Sequence, residues 1–563
     1  MRNAALISVA LLASPFASAL VDMKSANYSE SWTDLSLPGV GYDLRVARGV
    51  NSRSLHNGIF GFGWCSDFET KIEITPESNL KITECGAGME VMFTPKNFSG
   101  AKVEGTIKQI GQEIRKRRPD LRPDYVASLE EEMKSNDFMR EEFSRRLNIN
   151  GKVDDATTYF ANGREAENVV LKNGVYKRNL ADGTYQLFDI ASGHLVQMYD
   201  RNQNYLKLSW EKDLLQQVSD NLGRKLTFKY DLASRKISQI IGPNGMVARY
   251  VVKGEDLVEV VDAKNQKYKY SYDDVHNLTR IDYPDGSYKA LTYNKDKDWV
   301  TSFRNRKGCM ETYDYQVSKD DPKNHFWSNV IKKCGDKVTN QSKYEFFQKS
   351  RPDGSGVYLY RVRTEVNNNV TDVVFHEVFG KPISILRDNV KTDYSYYENG
   401  FVKTKKEPLR LMAFEYKNTC QKVSQVTTQF LEEGAGRERK PSKVEKVVKQ
   451  SRTKFTYDAQ KCNLIVADSS DGQVVKLQYD LQGRIAQIED QTKKLIKIKY
   501  ESKFGKPSVV ARPGLGTIQV IYKPDGEIQK VESKEGANVA VQVASIFNNL
   551  LDIIAPATAE TPL

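Results

Sequence analysis

The sequence predicts a mainly β protein, in which one long sheet spirals into a shell or runs as a solenoid. Three observations predict it. Stretches such as KLTFKY at 225–230 alternate apolar and polar residues with the period of a half-buried strand. Tyrosine is abundant, at 29 residues against 23 Phe and 5 Trp, and aromatic rings suit a pleated, half-buried surface. A Tyr-Asp pair recurs as Tyr230-Asp231, Tyr272-Asp273, Tyr313-Asp314, Tyr457-Asp458 and Tyr479-Asp480, with degenerate copies at Tyr250, Tyr293, Tyr416, Tyr500 and Tyr522. Within each run the steps are 20 to 22 residues.

A second turn signal keeps the same phase: DNLG at 220, GPNG at 242, YPDG at 283, SSDG at 469 and KPDG at 523. Each unit therefore has two strands and two turns. One such unit cannot bury its apolar face alone, whereas stacked copies share a continuous core. In KYKYSYD, Tyr268, Tyr270 and Tyr272 face one way and Lys267, Lys269 and Ser271 the other. Asp after Tyr suits a turn start, because its carboxylate accepts backbone N–H groups two residues on. A sheet this long has exposed edges, so it must curl, close or be capped.

Taken in order, residues 1–19 read as a signal peptide: Arg2, an apolar run from Ala4 to Ala13, and Ala17-Ser18-Ala19 as a cleavage site. The apolar run is too short to span a bilayer. This predicts export to the periplasm, the cell surface or the medium. Residues 20–98 form an N-terminal region with several strands. Residues 101–150 break the pattern: Val126, Leu129 and Met133, then Phe138, Phe143 and Leu147, have helical spacing. Asp124 after Pro123 reads as a cap and Gly151 as a stop. This helical insertion would cover a sheet edge or dock a partner. Residues 155–530 carry the repeats, noisier between about 320 and 400, with a charged loop at 431–443. In 537–563, Val543, Ile546, Leu550 and Ile554 have helical spacing, and Asn548, Asn549 and Asp552 argue against a transmembrane span. That helix would close the repeats, touch a membrane surface or anchor a partner.

The six cysteines suit an oxidising compartment. Cys309 and Cys334 are symmetric about Asp321-Pro322, so a hairpin would face them across adjacent strands. Cys65 and Cys85 flank a hairpin turning at TPESN. A strand count places one strand between Cys420 and Cys462, roughly 9.6 Å at about 4.8 Å per strand. That exceeds the reach of a bridge and leaves this pair as free thiols or a bond open.

Catalytic motifs are not found. His56, His194, His276, His325 and His376 are far apart in sequence, with no H-E-x-x-H, nucleophile elbow, P-loop or Cys-x-x-Cys spacing. No catalytic, cofactor-binding or metal residue is assigned, and no cofactor is expected. The turn carboxylates recur with the repeat, which a structural role covers. Lys225, Lys229, Lys267, Lys269, Lys476, Lys497 and Lys499 share the outward phase of a chain with net charge +11. They solvate that face, or attract anionic envelope glycans or headgroups. A nucleic-acid partner is not expected, given the export signal and the lack of a binding motif.

The Tyr-Asp units resemble the YD repeats of rearrangement-hot-spot (Rhs) proteins and teneurins. Upstream, Asn51-Ser52-Arg53 followed by Phe60-Gly61-Phe62-Gly63-Trp64 is similar to the segment that precedes the repeats in bacterial Rhs proteins. The resemblance covers about 40–98 and 155–530. It implies a sheet spiralling into a shell that sometimes encloses a C-terminal toxin. Many such shells end in a self-cleaving Asp-Pro-x-Gly-Leu type segment. Here ARPGLGTI, Ala511 to Ile518, has Arg512 where Asp would be needed, and more strand sequence follows. Neither autoproteolysis nor a fused toxin is expected. The combined expectation is a secreted or envelope-associated, non-enzymatic scaffold that binds an envelope glycan or protein partner, as in adhesion. The alternative is a shell that encloses a separately encoded toxin or other cargo protein.

Overall fold

The computed structural model describes residues 20–536, apart from 40, 86–88, 135, 156, 162–163, 351–356, 433–446 and 524–525, together with parts of 538–554. The expected signal peptide and nearly all of the charged loop lie outside the described residues.

The protein is mainly β. Among the described residues, thirty-six strands form one antiparallel ribbon, in which each strand pairs with its neighbours in sequence, from Lys71–Ile74 to Ile528–Ser533. The expected alternation sets which face is buried. In Lys225–Tyr230, Leu226 and Phe228 are buried while Lys225, Thr227 and Lys229 are exposed. Leu495–Tyr500 repeats this, with Ile496 and Ile498 buried and Lys497 and Lys499 exposed.

The repeated tyrosine has a defined job. In seven units its hydroxyl donates to the carbonyl 15 residues upstream, in the preceding strand, whereas Tyr457 reaches Val423 across the longer connection. The pairs are Tyr230 to Leu215, Tyr272 to Leu257, Tyr293 to Leu278, Tyr315 to Val300, Tyr479 to Leu464, Tyr500 to Ile485 and Tyr522 to Pro507, at 2.7–2.9 Å. Trp210 makes the same bond to Leu195 through its indole N–H. The aspartate that follows caps the turn. Asp231 accepts from the Ser234 N–H, and Asp273 and Asp480 accept from residues two and four further on. Asp458 accepts from Gln460, Lys461 and Asn463. A β-bulge falls just before the repeated position at 210, 230, 252, 272, 293, 457, 479, 500 and 522. Bulges bend a strand and increase its twist, so a bulge in each unit curls the ribbon.

Two of the sequence assignments are corrected by this phase. Tyr313-Asp314 is not a repeat corner: both residues lie inside strand Met310–Val317, Asp314 pairs with Asn329, and the turn comes only at 318–325. Tyr315 makes the repeat bond instead. Tyr250 is likewise mid-strand, and Val252 occupies the repeat position.

The ribbon coils upon itself. At its start, Ile72 donates to the Gly193 carbonyl (2.9 Å) and Lys71 bridges His194, rolling the first strands into a closed turn. Further on, turns along one edge meet turns along the opposite edge one coil later. Lys422 reaches Ala181, Arg201 reaches Cys462, Asn204 reaches Gln482, Arg224 reaches Lys503, and Lys264 pairs with Glu527. The separations are 241, 261, 278, 279 and 263 residues, so one coil takes about a dozen repeats.

A second, four-stranded sheet of Leu20–Val21, Tyr28–Leu37, Leu44–Asn51 and Trp64–Ser66 packs onto the apolar face of the first coil. Backbone bonds tie the two together: Ala263 N–H to Asp34 O, Ile237 N–H to Ile59 O, Phe62 N–H to Glu255 O and Val300 N–H to Ala26 O. On the second coil the same face receives the C-terminal segment, with Val543 against Ile518 and Leu550 among Leu477, Ile488 and Ile496. Helices α1 (Gly100–Arg117), α2 (Pro123–Met133) and α3 (Asp137–Leu147) build their own core from Ile107, Ile110, Ile114, Val126 and Met133. They sit on the first hairpin of the ribbon through Arg140–Glu77 and Lys81–Glu141. Asp124 is not the cap of α2: Arg122 holds that position and Pro123 begins the helix.

Disulfides join all six cysteines. Cys309 and Cys334 close a hairpin (Cα–Cα 4.2 Å), and Cys65–Cys85 ties the four-stranded sheet to the start of the ribbon (5.3 Å). Cys420–Cys462 is also bonded, at 5.6 Å. The strand count misled here because both residues lie in turns. The long connection 416–424 folds over its neighbour, bringing the Cys420 sulfur to the Asp458 carbonyl.

Candidate functional site: the locked interior of the coil

The interior is organised around Arg48. Strand Leu44–Asn51 sends Leu44, Val46, Arg48 and Val50 in one direction, which places a guanidinium in an apolar phase. Arg48 is 1% exposed. Its Nε donates to Asp34 Oδ2 (2.7 Å) and its Nη2 to the Tyr270 hydroxyl (2.7 Å), while Tyr250 donates to the same Asp34 oxygen (3.0 Å). The guanidinium carbon lies 4.7, 5.1 and 5.2 Å from the ring centres of Trp64, Trp32 and Tyr270. Burial alone would lower the affinity of Arg48 for its proton, but the charge of Asp34 wins and holds it above its ordinary value. Burial and Asp34 push the Tyr250 hydroxyl far up. Asp34 and Arg48 belong to the four-stranded sheet, and Tyr250 and Tyr270 to the coil. The ion pair therefore joins the two bodies, and its desolvation is tolerable because nearly every group has a partner.

A second polar joint lies nearby. Glu30 accepts from Lys289 (2.6 Å), Tyr28 (2.5 Å) and Tyr283 (3.1 Å). Neither joint was visible as a site in the sequence. The one signal for Arg48 is its inward phase, which an alternation count shows.

The N-terminal motif lies between these joints. The Trp64 indole N–H donates to the Tyr272 hydroxyl (2.8 Å), the same hydroxyl that donates to Leu257, so the motif plugs into the tyrosine ladder. Phe60 is fully buried edge-on against Tyr250. Gly61 has φ +102° and its backbone passes the Glu255 carbonyl, which a Cβ would strike. Gly63 donates its N–H to His56 O. Asn51 caps its own turn by accepting from the Arg53 N–H (3.0 Å). Ser52 accepts from the Tyr28 N–H (2.9 Å), and Arg53 donates to the Ser25 carbonyl (3.0 Å).

The five histidines are not brought together. His194, His276 and His325 each pair with a carboxylate, Asp213, Asp256 and Glu345 respectively. His376 accepts from its own turn, and His56 stands beside Cys85 and Glu69. Arg512, which stands where a self-cleaving segment would need Asp, pairs with Asp490 (2.9 Å). Lys267 and Lys476 of the outward stripe pair with Glu259 and Glu489. Among the described residues, no helix is long and apolar enough to cross a membrane.

Comparison with known families bears directly on the strands that hold this joint. A family model described as the RHS repeat matches residues 253–288, which include Tyr270 and Tyr272. The chain carries an RHS repeat. A second model, a domain of unknown function (DUF6531), matches residues 19–93 of the RHS-repeat protein, spanning the four-stranded sheet and the first hairpin. No curated protein matches it. Among solved structures, it is similar to a chain in the crystal structure of TcdB2-TccC3-Cdc42, at 10% identity and TM-score 0.38 over 90% of this chain and 29% of the other. It is also similar to a chain in TcdB2-TccC3-TEV, at 12% and 0.36 over 91% and 30%. The Photorhabdus luminescens Tc holotoxin pore gives 9% and 0.22 over 88% and 30%. The RHS-repeat protein thus spans about three-tenths of the length of those chains.

Proposed function

We propose that this RHS-repeat protein is an exported, non-enzymatic scaffold that binds a partner at the cell envelope or outside the cell, as an adhesion protein does. The observation that supports it is the use made of the buried polar groups. Arg48, Asp34, Glu30, Lys289 and the repeat tyrosines all hold one part of the chain against another. The interior of the first coil is thereby filled by the protein's own N-terminal sheet. The partner is an envelope glycan or a protein, met by the lysine-rich outward face.

A second reading, a shell that encloses a separately encoded cargo protein, is favoured by one stretch. Strands Val357–Val366 and Asn369–Phe375 carry no fully buried residue, so among the described residues nothing closes fully over either of their faces. The test is purification of the chain from its native host, with mass spectrometry of whatever stays bound. A glycan, or a protein that added protease digests, supports the scaffold. A stoichiometric protein shielded from protease supports the cargo shell. A reaction product formed by the pure chain would overturn both.

A further inference from the structure

The Cys65–Cys85 disulfide differs from the other two in its surroundings. The Cys65 and Cys85 sulfurs and a ring nitrogen of His56 all lie within 4.8 Å of one another, the one such group among the described residues. His56 Nε2 is 4.0 Å from the Cys85 sulfur and 3.4 Å from Glu69 Oε1. Glu69 is held in place: its two carboxylate oxygens accept the Ile59 N–H (2.8 Å) and the Ser66 N–H (3.0 Å). Both cysteines are 8% exposed, and the cleft beside them is lined by Asn51, Ser54, Thr83 and Glu84. Among the described residues, the sulfurs of the other two pairs approach the Thr339 hydroxyl and the Asp458 carbonyl.

These distances suit a metal. Ligands at about 2.3 Å (sulfur) and about 2.0–2.1 Å (nitrogen, oxygen) around tetrahedral zinc stand roughly 3.3–3.8 Å apart. The His56–Glu69 and His56–Cys85 spacings fall in or near that range. The two sulfurs, joined by their covalent bond, are too close, and Glu69, beside His56, stands outside the three-residue group that holds both sulfurs.

We infer that Cys65, Cys85, His56 and Glu69 form a redox-gated site for a thiophilic divalent cation such as zinc, closed as the disulfide and open as the dithiol. Opening takes two electrons from a dithiol or phosphine reductant, and two protons from the dithiol or, with a phosphine, from water. The S–S bond breaks, two thiols form, and the reductant leaves as its own disulfide or phosphine oxide, water supplying the oxygen in the latter case. Binding then releases the two thiol protons, and two thiolates, one imidazole and one carboxylate surround the ion. The same four residues tie the N-terminal sheet to the ribbon, so either chemistry makes the joint. A chain that folds before it meets an oxidant can hold the joint with metal, and one that folds after can hold it with the disulfide.

The test uses the full chain reduced with a phosphine and titrated with Co²⁺. One ion per chain is expected, with tetrahedral d–d bands and sulfur-to-cobalt charge transfer, and neither signal in the oxidised chain. His56→Ala should weaken binding by more than about tenfold, and Cys65→Ser with Cys85→Ser should abolish it. Replacing the other four cysteines by serine should leave it unchanged. In parallel, Zn²⁺ should protect Cys65 and Cys85 of the wild-type reduced chain from alkylation while Cys309, Cys334, Cys420 and Cys462 react. Uniform protection or none, or cobalt bound as tightly by His56→Ala, would overturn the inference, also where a variant fails to fold, because the alkylation map needs no variant.

Discussion

The ribbon between 205 and 304 and the ribbon between 325 and 396 are paired alike but buried differently. In the first, almost every strand has fully buried residues: Leu206, Leu215, Leu226, Ile240, Leu257 and Ile281 are examples. The N-terminal sheet lies on them. In the second, the strands run to 10 and 14 residues and their hydrogen-bond ladders are long, each broken by a single register shift, at Lys332/Lys333 and at Phe347/Gln348. Yet Val357–Val366 and Asn369–Phe375 bury nothing fully. Strand pairing makes the ribbon, and a covering element makes the core. The repeat is strictest where something packs on it, because only there does a residue of the wrong phase cost burial energy.

Variants can break this contrast. Arg48→Ala should have the largest effect, about 3–5 kcal/mol in denaturant unfolding, because it leaves Asp34 buried and unpaired. It should also reduce the first region to the protection of the second. Replacing both partners, with Arg48→Met and Asp34→Leu, should recover most of that loss. Cys420→Ser with Cys462→Ser should cost about 2–4 kcal/mol, with faster amide exchange confined to 416–463. The tyrosine ladder sharpens the comparison. Tyr479→Phe in the second coil removes one bond to Leu464 and should cost about 0.5–1.5 kcal/mol. Tyr272→Phe also strips the Trp64 indole of its acceptor and should cost about 1–3 kcal/mol.

Acid should act least and on both regions. The backbone and side chain of Ser234 hold the Asp231 carboxyl below its usual value, and Ser192 does the same for Asp189. A carboxyl depressed in the folded chain stabilises it fully above its unfolded value of about 4, and loses that effect as pH falls through the folded value. The unfolding midpoint should therefore hold from pH 7 to about 5 and drop below about 4. Asp231→Asn should flatten part of that drop in a pH series of melts.

Much of the ribbon was legible in the sequence. Alternation fixes which side of Lys225–Tyr230 is buried, and the spacing of Tyr230, Tyr272, Tyr479 and Tyr500 marks the hairpin corners. Tyr313-Asp314 misled because a dipeptide carries no phase of its own, and the strand there runs past it to Val317. The joint was less legible. Arg48 meets Tyr270 across 222 residues, a contact that no local pattern encodes. Trp64 was recognised through its motif, but its partner Tyr272 stands 208 residues away. Cys420 and Cys462 were misjudged because counting strands ignores where a nine-residue turn can reach.

The most direct test of the account is native-state hydrogen exchange of the full chain, comparing amides of 225–304 with those of 357–387. A coil whose core is its own N-terminal sheet predicts slow exchange in the first set, much faster exchange in the second, and loss of the difference in Arg48→Ala. Equal protection in the two sets, or a difference that survives Arg48→Ala in a folded chain, would contradict it.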